Sequence, residues 1–79
     1  MKAKIYITLK RTVLDPQGKA VTNALNSLGF NKVLDTRVGR YIEIELKEKN
    51  KQAAEKKVHQ MCDQLLSNPV IEEYRFDLD

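Results

Sequence analysis

From Ala3 to Lys10 the chain alternates without a break: Ala3, Ile5, Ile7 and Leu9 are apolar, with Lys4, Tyr6, Thr8 and Lys10 between them. A period of two belongs to a strand with one buried face. The period then changes, and Ala20, Val21, Ala24, Leu25 and Leu28 recur at the spacing of an amphipathic helix. The residues ahead of that stripe mark its start. Asp15 suits the N-cap and the positive end of the helix dipole. Pro16 suits the first helical position, and Leu14 can staple back onto the first turn. Gly29 supplies a left-handed stop that Phe30 can close by packing on the last turn. Gly18 lies inside the helix, where glycine costs roughly 1 kcal/mol relative to alanine. It suggests close approach of another backbone or subunit, with ordinary drift as the alternative.

A second strand is expected from Lys32 to Val38, and Gly39-Arg40 reads as a tight turn into a third. In that third strand Ile42, Ile44 and Leu46 alternate with Tyr41, Glu43 and Glu45. Asn50 can cap a second helix whose stripe is Ala54, Val58, Met61, Cys62, Leu65 and Leu66. Asn68 suits a left-handed stop, and Pro69 prevents continuation. The last strand, from Val70 to Leu78, sets Tyr74, Phe76 and Leu78 against Glu73, Arg75 and Asp77. The order β-α-β-β-α-β predicts an α+β, ferredoxin-like domain. Right-handed crossovers then place both helices on one face of a four-stranded antiparallel sheet. That face would bury Ile5, Ile7, Leu9, Ile42, Ile44 and Leu46; the other would show Tyr6, Thr8, Tyr41, Glu43, Glu45 and Arg75.

Size sharpens this picture. A chain of 79 residues, 42% hydrophobic, makes one domain spanning positions 1–79. Folding at this size buries only about 60% of the unfolded chain's surface. Small domains then draw stability from disulfides, metals or association. Cys62 is the only cysteine, and no His/Cys cluster suits zinc. Association remains, so a homo-oligomer (a dimer or a tetramer) is expected. No apolar run suits a signal peptide or membrane span, and a lone thiol fits a cytoplasmic protein. A net charge of +3 does not argue for nucleic acid. Its distribution says more: positions 1–40 hold eight basic and two acidic residues, positions 41–79 six and nine. Such a dipolar chain suits complementary docking between subunits.

Catalytic readings find little support. His59 is the only histidine and lacks a partner at ligand spacing, so it reads as a surface residue. Cys62 on the apolar stripe reads as a buried, inert thiol. Glu43 and Glu45 share a strand face without a pocket. An acylphosphatase-like loop would need amides converging on phosphate where Asp15 stands. Tyr6 and Tyr41 lie where RNA-recognition motifs carry stacking aromatics, but Glu43 and Glu45 would repel a phosphate backbone. A regulatory ACT-like domain, with the same element order, is the alternative from a different class. Its ligand loop would be small and glycine-rich, whereas here it reads Thr12-Val13-Leu14-Asp15-Pro16.

Several segments together resemble the PurS family, the small S subunit of bacterial and archaeal phosphoribosylformylglycinamidine (FGAM) synthase. They are Val13-Leu14-Asp15-Pro16-Gln17-Gly18, Ala20-Val21, Ala24-Leu25, Leu28-Gly29-Phe30, Val33, Arg37-Val38-Gly39-Arg40, Ile42-Glu43-Ile44, and the run Cys62-Asp63-Gln64-Leu65-Leu66-Ser67-Asn68-Pro69-Val70-Ile71-Glu72. Family members often carry lysine where Arg40 stands. The resemblance implies a non-catalytic subunit of purine biosynthesis that works as a dimer. It would bridge a large synthetase subunit and a glutaminase subunit so that ammonia passes between them. It implies no cofactor in this chain, ATP and magnesium belonging to the large subunit, and neither a nucleic-acid nor a membrane partner. Lys10, Arg11, Leu14, Asp15, Pro16, Gln17, Gly18, Arg37, Arg40, Asn68 and Pro69 are then the expected partner contacts. Asp15, Pro16, Asn68 and Pro69 also have a purely structural reading as helix ends; Arg37 and Arg40 have no evident structural task.

Overall fold

The computed structural model describes all 79 residues. Strands β1 (Lys2–Leu9), β2 (Gly39–Glu45) and β3 (Glu72–Leu78) form an antiparallel sheet in the order β2-β1-β3. The alternating first segment therefore takes the centre. Ile5 faces Ile42 on one side and Phe76 on the other, and this register gathers the apolar residues of all three strands on one face. Helix α2 (Lys51–Met61) lies across that face, with Asn50 accepting hydrogen bonds from the amides of Gln52 and Ala53 at its start. Ala3, Ile5, Ile7, Val58 and Cys62 form the core, each at most 1% exposed. Ile42, Ile44, Leu46, Leu66, Tyr74, Phe76 and Leu78 pack around it, partly buried.

The second helix does not end at Asn68. It widens into a π-turn over Cys62–Leu66, where the Ser67 amide donates to the Cys62 carbonyl at 3.0 Å and the Ser67 hydroxyl donates to the same oxygen at 3.1 Å. The wider turn shifts the helical phase. Leu65, expected on the buried stripe, is 82% exposed as a result. No residue but Gly29 has a left-handed backbone, so Asn68 is not the stop; Ser67, in extended conformation, ends the helix. Asn68 shapes a turn instead, its side chain accepting from the Val70 amide and its carbonyl from those of Ile71 and Glu72. The last strand accordingly starts at Glu72 rather than Val70.

Helix α1 (Pro16–Ser27) begins and ends as its sequence predicts. Asp15 caps it through the Gly18 amide at 2.9 Å. At the other end the Phe30 amide donates to Leu25 and the Gly29 amide to Asn26, around a Gly29 φ of 101°. Its position differs from expectation. No α1 residue joins the core, Val21 and Leu28 face solvent, and Leu14 is exposed rather than stapled. The two helices therefore do not share a face of the sheet.

The segment from Lys32 to Val38 is not a strand of this sheet, which has three strands and not four. Asn31 and Lys32 form a turn and residues 33–38 have no regular structure before β2 starts at Gly39, so the hairpin expected at Gly39-Arg40 stands open. Local chemistry explains why. The Val38 amide, which a hairpin would present to its neighbour, donates to Asp15 at 2.9 Å. Gly39, far from turning, lies flat against β1, where a Cβ would come within 2.5 Å of the Ile7 carbonyl oxygen. The molecule thus divides into a body, holding the sheet and α2, and an arm formed by residues 10–38. It measures 49 × 25 × 14 Å with a radius of gyration of 15.9 Å, against about 12 Å for a compact chain of this length.

Candidate interaction surfaces

The root of the arm is a knot of backbone ties. Asp15 sits nearly buried, one carboxylate oxygen accepting from Gly18 and the other from Val38. The Val38 and Gly18 amides, with the Arg37 guanidinium nearby, hold its carboxyl below the usual range. Gly18 is required by space: a Cβ would stand 1.9 Å from the Thr36 carbonyl oxygen. Close backbone approach is thus the reason for a glycine in this helix. Arg37 donates to the carbonyls of Val13 at 3.1 Å and Arg11 at 2.9 Å, and the Thr22 and Thr36 hydroxyls meet at 2.7 Å. Arg11, Leu14, Asp15, Pro16, Gln17, Gly18 and Arg37 are therefore brought to one place, where Leu14, Pro16 and Gln17 are exposed.

A second cluster closes one end of the body. Arg40 donates to the Leu66 carbonyl at 3.0 Å and pairs with Glu72 at 2.8 Å, and Glu72 also accepts from the Asn68 amide at 2.7 Å. The Lys10 amide donates to Ile71, which ties the start of the arm to this end. Pro69, Val70 and Leu65 project beside it, exposed. A hollow of about 230 Å³ that includes Gln17, Val38, Arg40 and Glu72 lies between the two clusters. Arg37 and Arg40 thus have structural tasks that the sequence did not announce. Glu72 is the contact that reasoning from sequence missed; its spacing from Arg40 gives no local signal.

Several other polar groups pair with one another. Tyr74 donates to Asp63 at 3.1 Å, which leaves His59 Nδ1 as the donor to the Tyr74 oxygen at 2.9 Å. Burial, then Asp63, raises the Tyr74 phenol above its ordinary value. Burial likewise raises the Cys62 thiol, with Asp63 adding to the effect. On the outer sheet face Arg75 covers the Tyr6 ring at 4.0 Å, and Tyr6 and Tyr41 lie 5.1 Å apart. Tyr41 donates to Glu43 at 2.7 Å, and that hydrogen bond pushes its phenol up to about 12. No three His, Cys, Asp or Glu side chains converge on a point where a metal could sit. No helix is long and apolar enough to cross a membrane.

A slender α+β body, an arm braced at its root and apolar side chains left at the surface define a protein built to assemble with others. The chain belongs to the PurS family, described as phosphoribosylformylglycinamidine (FGAM) synthase, which it matches over residues 2–79. It is 46% identical to the FGAM synthase subunit PurS of Bacillus subtilis over 99% of this chain and 92% of that one. To the corresponding subunit of Methanocaldococcus jannaschii it is 38% identical, over 99% and 94%. The solved B. subtilis PurS structure superposes with a TM-score of 0.87 at 46% identity, over 99% of this chain and 96% of that one. A chain of the PurLQS structure from Thermotoga maritima superposes at 0.88 with 33% identity, over 96% and 93%. The ACT-like alternative is not favoured.

Proposed function

We propose that this chain is the small, non-catalytic subunit of an FGAM synthase of purine biosynthesis. In this reading it joins a synthetase subunit to a glutaminase subunit and supports ammonia transfer between them, within the cytoplasm. The family match over residues 2–79 carries this reading. The similarity to a chain of the PurLQS structure supports membership of a multi-subunit assembly. ATP and magnesium then belong to the large subunit, and this chain contributes contact area and geometry. Reconstitution tests the reading. Omitting this chain is expected to abolish glutamine-dependent turnover while ammonia-dependent turnover by the synthetase persists. Catalysis by the isolated chain, or full glutamine-dependent turnover without it, overturns the proposal.

The same reading includes self-association as a dimer, and the open hairpin supports it. In a second copy the free edge of β2 offers unpaired backbone groups to residues 33–38 of the first. The apolar side of α1, with Val21 and Leu28, then has a sheet to cover. Exchange of identical arms is an accessible route to a dimer, because it reuses contacts one chain already encodes. The four-stranded, ferredoxin-like sheet written in the sequence would then be completed across two copies.

A further inference from the structure

The arm carries an open cleft of about 550 Å³ between the first two turns of α1 and residues 34–37. Arg11, Lys19 and Arg37 line it, and none of the molecule's ion pairs uses them. Two carboxylates also line it. Asp15 is turned inward onto two backbone amides, which leaves only Asp35 facing three cations. The imbalance extends to the whole chain. Residues 10–38 hold five cations and two carboxylates, while the rest of the chain holds nine of each, so all the net charge of +3 lies on the arm. Leu34, 92% exposed, and Leu14, 73% exposed, add apolar surface to the same concavity.

The orientation of α1 keeps its own cleft-lining residues apart from the side of the helix assigned to self-association. Lys19, Thr22 and Asn23 line the cleft. At 100° per residue they lie on the side of the helix turned away from Ala20, Ala24 and Leu28. A second copy that covers the apolar side leaves the basic side facing outward. The walls are also fixed in advance, since Arg37 and the Thr22–Thr36 contact brace the two backbones that form them. Binding to a braced cleft loses less conformational freedom than binding to a loose one.

We propose that this cleft docks an acidic segment of one of the larger subunits, a stretch whose carboxylates flank one large apolar side chain. The proposal rests on the bridging role argued above and assigns that role a surface and a chemistry. Carboxylates would meet Arg11, Lys19 and the outward edge of the Arg37 guanidinium, while the apolar side chain would settle between Leu14 and Leu34. A phosphate ligand fits less well, because the Asp15 carboxylate already caps the start of α1 through the Gly18 amide and the rim is leucine. Charge pairing of this kind sets association rate and partner choice, and it weakens as salt rises.

The test is binding of the full-length chain to each purified larger subunit at low and high salt. The variants are R11E/K19E, R11K/K19R and L34S. Neither Arg11 nor Lys19 uses its side chain in the knot, so charge reversal leaves the arm intact. For the wild-type chain, binding to one larger subunit is expected to weaken steadily with salt. For R11E/K19E a loss of about tenfold or more and a flatter salt dependence are expected. R11K/K19R should bind as wild type, and L34S should lose affinity with its salt dependence unchanged. Sedimentation and thermal melts of isolated R11E/K19E and R11K/K19R should match wild type. Binding of R11E/K19E within about twofold of wild type overturns the cleft assignment alone. A wild-type chain that binds neither larger subunit overturns the bridging reading, and this proposal with it.

Discussion

Gly18 shows how two opposing effects are decided at a single residue. Alanine is the better helix former by about 1 kcal/mol, so G18A would stabilise an isolated helix. Here the added methyl meets the Thr36 carbonyl at 1.9 Å, and that oxygen belongs to backbone fixed by its neighbours. Overpacking against so rigid a partner costs about 3 kcal/mol, so the clash wins. Urea denaturation of G18A is expected to show a net loss of about 2 kcal/mol. Asp15 makes a second prediction, through pH. Its folded carboxyl lies below the ordinary aspartate range because two amides hydrogen-bond the charged form. The stabilisation is therefore complete above the carboxyl's unfolded pKa and is lost as pH falls through the folded one. Asparagine can accept from one amide only, so D15N should melt below wild type at neutral pH. The two melting curves should converge in acid, and a gap that persists there would contradict this account. In the body, Ile5 is fully buried at the centre of the sheet, and I5A is expected to cost about 2–5 kcal/mol in the same urea assay.

At the scale of elements, the π-turn brings Cys62 and Leu65 to opposite fates: one is fully buried, the other projects into solvent. Buried and with its thiol raised, Cys62 should react with a thiol reagent only when α2 leaves the sheet. Its labelling rate should track global unfolding across a denaturant series; fast labelling of the native chain would show local opening of α2 instead. The same elements show what could be read from sequence. Asp15, Pro16, Gly29 and Asn50 marked helix ends correctly because a cap is chemistry among residues within one turn. The alternation from Ala3 to Leu9 likewise sufficed for a strand with one buried face. Lys32 to Val38 misled because a residue pattern is local while pairing is not: the Val38 amide goes to a carboxylate that no period reveals. Asn68 and Leu65 misled because inserting a π-turn depends on how the last turn meets Ser67. Arg11, residues 14–18 and Arg37, expected as partner contacts, do lie side by side in the fold. Their bracing of each other, and the pairing of Arg40 with Glu72, left no local signal, since these contacts join distant parts of the chain.

For the whole molecule, elongation and exposed apolar surface belong to one argument. Val21, Leu28, Phe30 and Val38 are exposed on the arm, while the β2 edge of the body is unpaired. If copies exchange arms, L28E/F30E should shift the sedimentation profile toward single chains and lower the melting temperature, because association stabilises only the assembled form. A variant that remains paired would place the self-contact elsewhere. Only nine of the 79 residues are buried in the single copy, and the slab is 14 Å thick at its narrowest. Few amides are shielded in so thin a sheet, and quality-control proteases act on whatever opens readily. An orphaned copy in a living cell would therefore be short-lived, and its abundance would follow the synthesis of its companions rather than that of its own message. Pulse-chase turnover in cells with and without those companions would read this coupling directly.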